Sequence, residues 1–244
     1  MAEALFITKA DLTKSTSLNG NVDVDKFVQY IKISQDIHIQ NYLGTDLFEK
    51  LQSEVILANS GIPTAITVSN QGTGYTTGTA INTTSATGAG LKLNITAAAG
   101  LITNATINTA GTNYKVGDTA TVLGGTNGAV TIASIYTIPT DYNNLLVTYV
   151  KPMLIHWAMV EYLPWAAYTV ANKGVYKHGS ENSESVSKEE VDFLVEKERS
   201  IAENYTKRFV DYMCFNNNLF PEYNTNSNGD VNPDREVNLS GWYL

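Results

Sequence analysis

Two phrases 39 positions apart constrain this chain more than anything else in it. NQGTGYTTGTA, which begins at Asn70, returns as AGTNYKVGDTA, which begins at Ala110. At that offset Gly72 falls on Gly111, Thr73 on Thr112, Tyr75 on Tyr114 and Gly78 on Gly117. Upstream, Val68 meets Ile107; downstream, Leu91 and Leu93 meet Val130 and Ile132. A solenoid ordinarily needs three or more units, so two copies predict a paired β unit. Leu91, Leu93 and Ile95 alternate with Lys92 and Asn94, and Leu101, Ala105 and Ile107 keep a period near two, as half-buried strands do. The glycines supply turns with positive φ, and the threonines suit a pleated surface.

The block that holds the repeat differs from both flanks. From Gly61 to Pro139 the only charged residues are Lys92, Lys115 and Asp118. Gly61-Ile62-Pro63 opens it and Ile138-Pro139-Thr140 closes it, both helix-breaking. The sequence therefore reads as α+β: a helical domain of about four to five helices, 1–60 and 140–215, with a small all-β domain inserted at 61–139. Residues 216–244, Asn-rich and ending in Gly-Trp-Tyr-Leu, read as an extended C-terminal tail.

Helix signals organise the flanks. Thr8 caps a short turn in ITKADL. A longer helix runs from about Asp23 to near Gly44, with Val24, Phe27, Val28 and Ile31 on one stripe, and Thr45 is placed to cap TDLFEKLQSEVILAN. Thr140 is placed to cap the most apolar helix, in which Pro152 predicts a kink or a shift of hydrogen-bond register. Lys151, His156 and Glu161 interrupt that helix, so a membrane span is not expected. Residues 172–187 read as a loop. Ser187 and Glu190 form a capping box for a last helix to about Phe215, with Val191, Leu194, Ile201, Tyr205, Phe209 and Tyr212 on its buried side.

Sites for chemistry are sought and not found. Gly72-Thr73-Gly74-Tyr75 starts like a dinucleotide fingerprint, yet it lacks the third glycine and a following helix. His38, His156 and His178 share no metal-ligand spacing, and the first two read as satisfied, half-buried histidines. Asn224 to Gly229 imitates half of a calcium loop with amides for carboxylates, which reads as a turn. Cys214 reads as a small core hydrophobe, and no serine has a nucleophile-elbow setting. No catalytic residue, metal ligand or cofactor site is assigned, and no enzyme is expected. A net charge of -8 speaks against a protein that grips nucleic acid by neutralising phosphates, though not against one that surrounds DNA. No basic leader or long apolar run marks a secretory signal in MAEALFITKADL.

The helical pattern resembles a known family. ITKADL, a helix ending in IQNYLGTDLFEKL, the Pro-interrupted YVKPMLIHWAMVEYLPW and the long ERSIAENYTKRFVDYMC resemble head–tail connector proteins of tailed bacteriophages, in particular the neck-ring adaptors of crAss-like phages. The resemblance covers roughly 1–60 and 140–220. Separately, Gly111-Thr112-Asn113-Tyr114-Lys115-Val116-Gly117-Asp118 resembles the G-x-G-Y-x-x-G-D form of Gly/Thr-rich β modules in phage structural proteins; the first copy has Thr79 where the form has Asp.

These resemblances imply a structural virion protein at the head–tail junction, assembled in the host cytoplasm. Its subunits would form a homo-oligomeric ring, typically a dodecamer, that binds the portal protein and further neck or tail proteins. DNA would pass through the channel without specific binding. Beside this, the residues suggest interface positions: Leu145, Tyr149, Met153 and Trp157 on the apolar helix, Trp242, Tyr243 and Leu244 as an aromatic hook, and Tyr75 and Tyr114 on the β module. The alternative is a peripheral virion or surface binding module whose β domain touches host glycans.

Overall fold

The computed structural model describes residues 4–16, 24–166, 168–171, 174–177, 187–227 and 229–236, with the backbone alone at 24–26, 168–171 and 174–177. The chain divides into two compact units, 1–52 with 140–244, and 53–139.

In the smaller unit the strands are β1 (Pro63–Asn70), β2 (Gly78–Ser85), β3 (Lys92–Ala98), β4 (Leu101–Thr109), β5 (Thr119–Val122) and β6 (Ala129–Ile135). They form one antiparallel sheet in the order β1-β6-β5-β2-β3-β4. The two ends of that order come together, Ile102 N–H donating to Gln71 O at 2.9 Å, so the sheet is a nearly closed barrel. Closure leaves few unpaired edges for other chains to extend.

The order also shows what the repeat does. β1 to β3 belong to the first copy and β4 to β6 to the second. The first strand of each copy pairs with the third strand of the other, β1 with β6 and β4 with β3. Neither copy completes its own sheet. The phrases themselves dock the same way: Thr73 exchanges backbone hydrogen bonds with Thr126 (2.9 and 2.8 Å), and Thr112 with Ala89 (3.0 Å each). Leu93 and Ile95 point inward as the alternation requires. In β4 it is Ile102, not Leu101, that is fully buried, because a register shift opposite Thr96 and Ala97 moves the inward position by one.

Among the described residues the larger unit holds α1 (Lys9–Ser15), α2 (Val24–Ser34), α3 (Gln40–Leu43), the start of α4 (Thr45–Asn59), α5 (Thr140–Asn144), α6 (Lys151–Tyr162), α7 (Lys188–Asn216) and α8 (Pro221–Thr225). A π-helical turn, Gln35–Ile39, joins α2 to α3, and another, Leu145–Val150, joins α5 to α6. Six continuous helices result, one or two more than the sequence suggests. Thr8 and the Ser187–Glu190 pair both form capping boxes. The second π turn stands immediately before Pro152, Lys151 N–H reaching back to Leu146 O. The missing amide of proline is thus accommodated by a register shift.

Three local expectations change. Thr45 is the first residue of α4 and does not cap it; its hydroxyl accepts from Val231 N–H at 3.0 Å and donates to Asp230. Residues 172–187 are not all loop: within them β8 (Gly174–Lys177) pairs antiparallel with β7 (Tyr168–Ala171). The chain after Asn216 is not simply extended. It forms α8, buries Phe220 and Tyr223, and pins Asn226, Ser227 and 230–234 to α3 and the start of α4, with Asp234 N–H on Asn41 O at 2.8 Å. The calcium-like turn serves this docking: Asn226 accepts from Asp46 N–H, and Ser227 N–H donates to the Asp46 carboxylate. His178 and Trp242 to Leu244 lie outside the described residues.

Candidate interaction surface

α6 is the centre of the helical unit. Its residues are apolar around most of the circumference, and the chain itself covers them: Leu145, Leu146, Val150, Met153, Leu154, Ala158 and Met159 are buried. The expectation that Leu145 and Met153 face a neighbouring subunit is therefore corrected. α1, α2 and α7 of the same chain pack around them, and a side chain at 0% exposure has nothing left to offer a partner. Each such burial stabilises the unit by about 1.5–3 kcal/mol. Tyr149 and Trp157 are half-buried and spent inside the chain, Tyr149 stacking on Tyr212 at 4.1 Å and Trp157 on His38 at 4.0 Å.

The barrel tyrosines are corrected in the same way. Tyr75 is 3% exposed and Tyr114 2%. Tyr75 O–H donates to Val122 O at 2.7 Å and accepts from Gly128 N–H at 3.0 Å. Their rings lie directly on glycines: a Cβ at Gly88 would stand 2.4 Å from the Tyr114 ring, and one at Gly128 2.5 Å from that of Tyr75. Each copy of the repeat contributes a tyrosine and a glycine turn, and each tyrosine fills the other copy's turn. Sequence spacing shows the pairing but not that the rings point inward.

Polar side chains clasp the three central helices. His38, in the π turn after α2, pairs with Glu161 of α6 at 3.0 Å, and His156 of α6 with Glu198 of α7 at 2.7 Å. The Trp157 indole N–H donates to Thr206 of α7 at 3.1 Å. Burial holds the His38 imidazole below its ordinary value, against the pull of Glu161. Both histidines are thus satisfied packing residues. On the barrel side, Tyr136 donates to the buried carboxylate of Glu54, and that bond pushes the phenol up to about 12. Cys214 is exposed, which overturns its reading as a core residue. Among the described residues no group of three or more His, Cys, Asp or Glu side chains could hold a metal, and no helix is long and apolar enough to cross a membrane.

Among the described residues of this unit, large apolar side chains stay exposed on α7 and α2, and also at Ile37, Val147, Trp165 and Leu219. The second half of α7 packs Ala202, Thr206, Phe209, Val210 and Met213. Its first half buries nothing: Phe193 is 59% exposed, Leu194 46% and Ile201 39%. Leu194 and Ile201, expected inside, are thus outside: Glu198, between them, still pairs with His156 of α6, and each lies about 80–100° round the helix from the buried Ala202. A groove lined by Glu189, Glu190, Phe193 and Leu194 opens there. On α2, Phe27, Ile31 and Ser34 face inward, as does Gln35 of the π turn, while Val28 and Ile33 on α2 and Ile37 in the π turn are exposed. Of these exposed residues Val28, Leu194 and Ile201 are expected from the sequence on buried sides, because their spacing is that of core positions of an amphipathic helix.

A model of a family of unknown function (DUF6712) matches residues 126–233, under half of the chain, from the end of the barrel to the segment docked on α4. No curated protein and no solved structure matches the chain.

Proposed function

We propose that this chain is a structural virion protein, a head–tail connector subunit that forms a ring below the portal, extends the DNA channel and joins capsid to tail. The helical pattern quoted above supports the reading through its resemblance to neck-ring adaptors. The observation that carries it is the set of large apolar side chains, Phe193, Leu194 and Ile201, left exposed on the first half of α7. Solvent-exposed patches of that kind on an otherwise packed unit call for a partner surface. The acidic balance suits a channel wall along which DNA must slide, because like charges do not adhere. Native mass spectrometry with negative-stain microscopy, on the protein alone and mixed with its portal protein, tests this. A closed ring, often of twelve subunits, is expected; a monomer indifferent to the portal would overturn it.

The barrel supports a second reading of its own role. Its tyrosines are buried and its edge strands paired, so contacts made through Tyr75, Tyr114 or open strand edges have no basis. Its outward positions carry uncharged hydroxyls and amides, among them Thr67 and Ser69 of β1 and Asn104 and Thr106 of β4. Such a face suits hydrogen bonding to glycans on the host surface. Particles assembled with residues 64–138 deleted separate the roles: normal assembly with poorer adsorption supports glycan contact, and stalled tail attachment supports a contact within the neck.

A further inference from the structure

We infer that the barrel is built from two self-complementary halves, and that two copies of this chain join by exchanging those halves about the turn at Ala99 and Gly100. Such a junction is independent of the ring proposed above.

The halves are equivalent in detail. Tyr75 N–H donates to Gly100 O at 3.0 Å, and 39 positions on Tyr114 N–H donates to Gly61 O at 2.9 Å. The Tyr114 ring lies on Gly88 and the Tyr75 ring on Gly125. Val68 pairs with Val130 as Ile107 pairs with Leu93. First and second strands thus correspond at 39 positions and third strands at 37 (Leu93 to Val130), because the first half has two more residues between its second and third strands. Thr83 and Val122, which correspond at 39, are themselves paired, so an approximate twofold axis runs between them.

The pairing of the barrel crosses between the halves. β1 with β6, β2 with β5 and β3 with β4 join them, while only β2 with β3 and β5 with β6 lie within one half. The halves also fit where no turn links them. Gly61 and Tyr136 stand where the chain enters and leaves the barrel, with Tyr136 N–H on Ile62 O at 2.7 Å. By the twofold they correspond to Gly100 and Ala99, where the halves are joined covalently. The join is therefore not what makes the halves fit.

It is also a strained place. Ala99 has a φ of 50°, in the left-handed region where its Cβ crowds the backbone. Exchange relieves this: Ala98 runs on through Leu101 as one extended strand, and every other contact is made again with the half of the second chain. The turn also separates 1–52 from 140–244, so the helical unit is completed by the same exchange. Short strained turns between segments that complete each other favour such swaps. What opposes exchange is the nearness of a chain's own second half, so it grows with protein concentration.

Thr64 and Ser134 test this in full-length protein with Cys214→Ser, since their hydroxyls stand 2.8 Å apart, one in each half. Thr64→Cys chains and Ser134→Cys chains are unfolded together, refolded at high concentration and oxidised. A disulfide-linked dimer is expected on a non-reducing gel, more of it as the concentration is raised. Ala99→Asn, which suits the turn, should lower that yield about tenfold, since each exchanged pair opens two such turns. Deleting Ala99 and Gly100 leaves nothing to make the turn, so nearly all of the shortened protein should be linked between chains. A shortened protein that stays a folded monomer, or that loses the barrel transition in calorimetry, overturns the self-complementary halves. No linked dimer from chains with the native turn overturns the exchange, whatever the shortened protein does. Linkage between two Thr64→Cys chains overturns it in favour of a contact between whole barrels. A closed ring without exchange overturns this junction and leaves the connector reading standing; exchange without a ring, even with the portal protein present, does the reverse.

Discussion

In the barrel both repeat tyrosines turn inward onto glycines, and among the described residues only Val116 and Leu123 of its large apolar side chains are exposed. In the helical unit Phe193, Leu194, Ile201, Ile33 and Ile37 stay exposed although the core around α6 is fully buried. The barrel comes from a sequence poor in charge and rich in Gly and Thr; the helices come from a strongly amphipathic one. Composition alone would rank the helical unit as the better-covered body. The contrast shows that self-sufficiency comes from pairing. Each half of the barrel supplies the strand and the ring that the other lacks, whereas α7 carries large apolar side chains on sides that its neighbours do not occupy.

The comparison can be broken hardest at Tyr75. Tyr75→Ala removes a buried ring and strands Val122 O and Gly128 N–H, so the barrel should lose about 3–5 kcal/mol. Two-transition calorimetry on the whole chain would show it, with the helical transition unmoved; a loss under about 1 kcal/mol would mean the reciprocal docking is not what holds the barrel.

The matching test in the helical unit uses the two halves of α7. Phe209→Ala is expected to cost about 3–5 kcal/mol, and Phe193→Ala no more than about 0.5 kcal/mol in the unassembled protein. All three tryptophans, 157, 165 and 242, lie outside the barrel, so their fluorescence follows this unit alone. Equal losses from the two substitutions would show that the first half of α7 is covered after all.

Acid should separate the units more gently. Burial lowers His38 from 6.5, so the unfolded chain takes up the proton first, and the stability present above that value is lost as pH falls through the folded one. Asp118 of the barrel is lowered from 3.8, chiefly by the Thr87 hydroxyl and then by Lys115 N–H, so its contribution is lost only below that value. Titrating from neutral pH should therefore weaken the tryptophan-reported transition first, and His38→Gln should flatten that early loss. A barrel that weakens first would refute the assignment.

The smallest effect sharpens the barrel side. Ala99 and Gly100 form the two-residue turn between β3 and β4 with φ of 50° and 79°, a conformation in which Asn is far better tolerated than Ala. Ala99→Asn should stabilise the barrel by about 0.5–1 kcal/mol, read as a rise in its melting temperature. No rise would indicate that Ala99 makes a compensating contact.

Much of the local structure was readable from local signals. The 39-residue echo announced a paired β unit, Thr8 and Ser187 with Glu190 marked helix starts, and Pro152 marked a shift in register. The candidate surface was not readable. Leu194 and Ile201 carry the periodicity of buried positions, while Leu145 and Met153 sit on a helix so apolar that it seemed to need a neighbour. Whether such a position is covered depends on which side of the helix its neighbours occupy, and that is a non-local fact.

The sequence by itself determined where helices begin and end, where the chain changes character, and that its middle is said twice. Those outcomes follow from backbone preferences and caps that act over a few residues. Only the tertiary structure decided that the two copies exchange strands, that Tyr75 and Tyr114 face inward, that residues 230–234 fasten to α3 and α4, and that Phe193, Leu194 and Ile201 of α7 stay exposed. Each of these depends on which distant segments meet, and pairing between segments far apart leaves no mark in the spacing of either one.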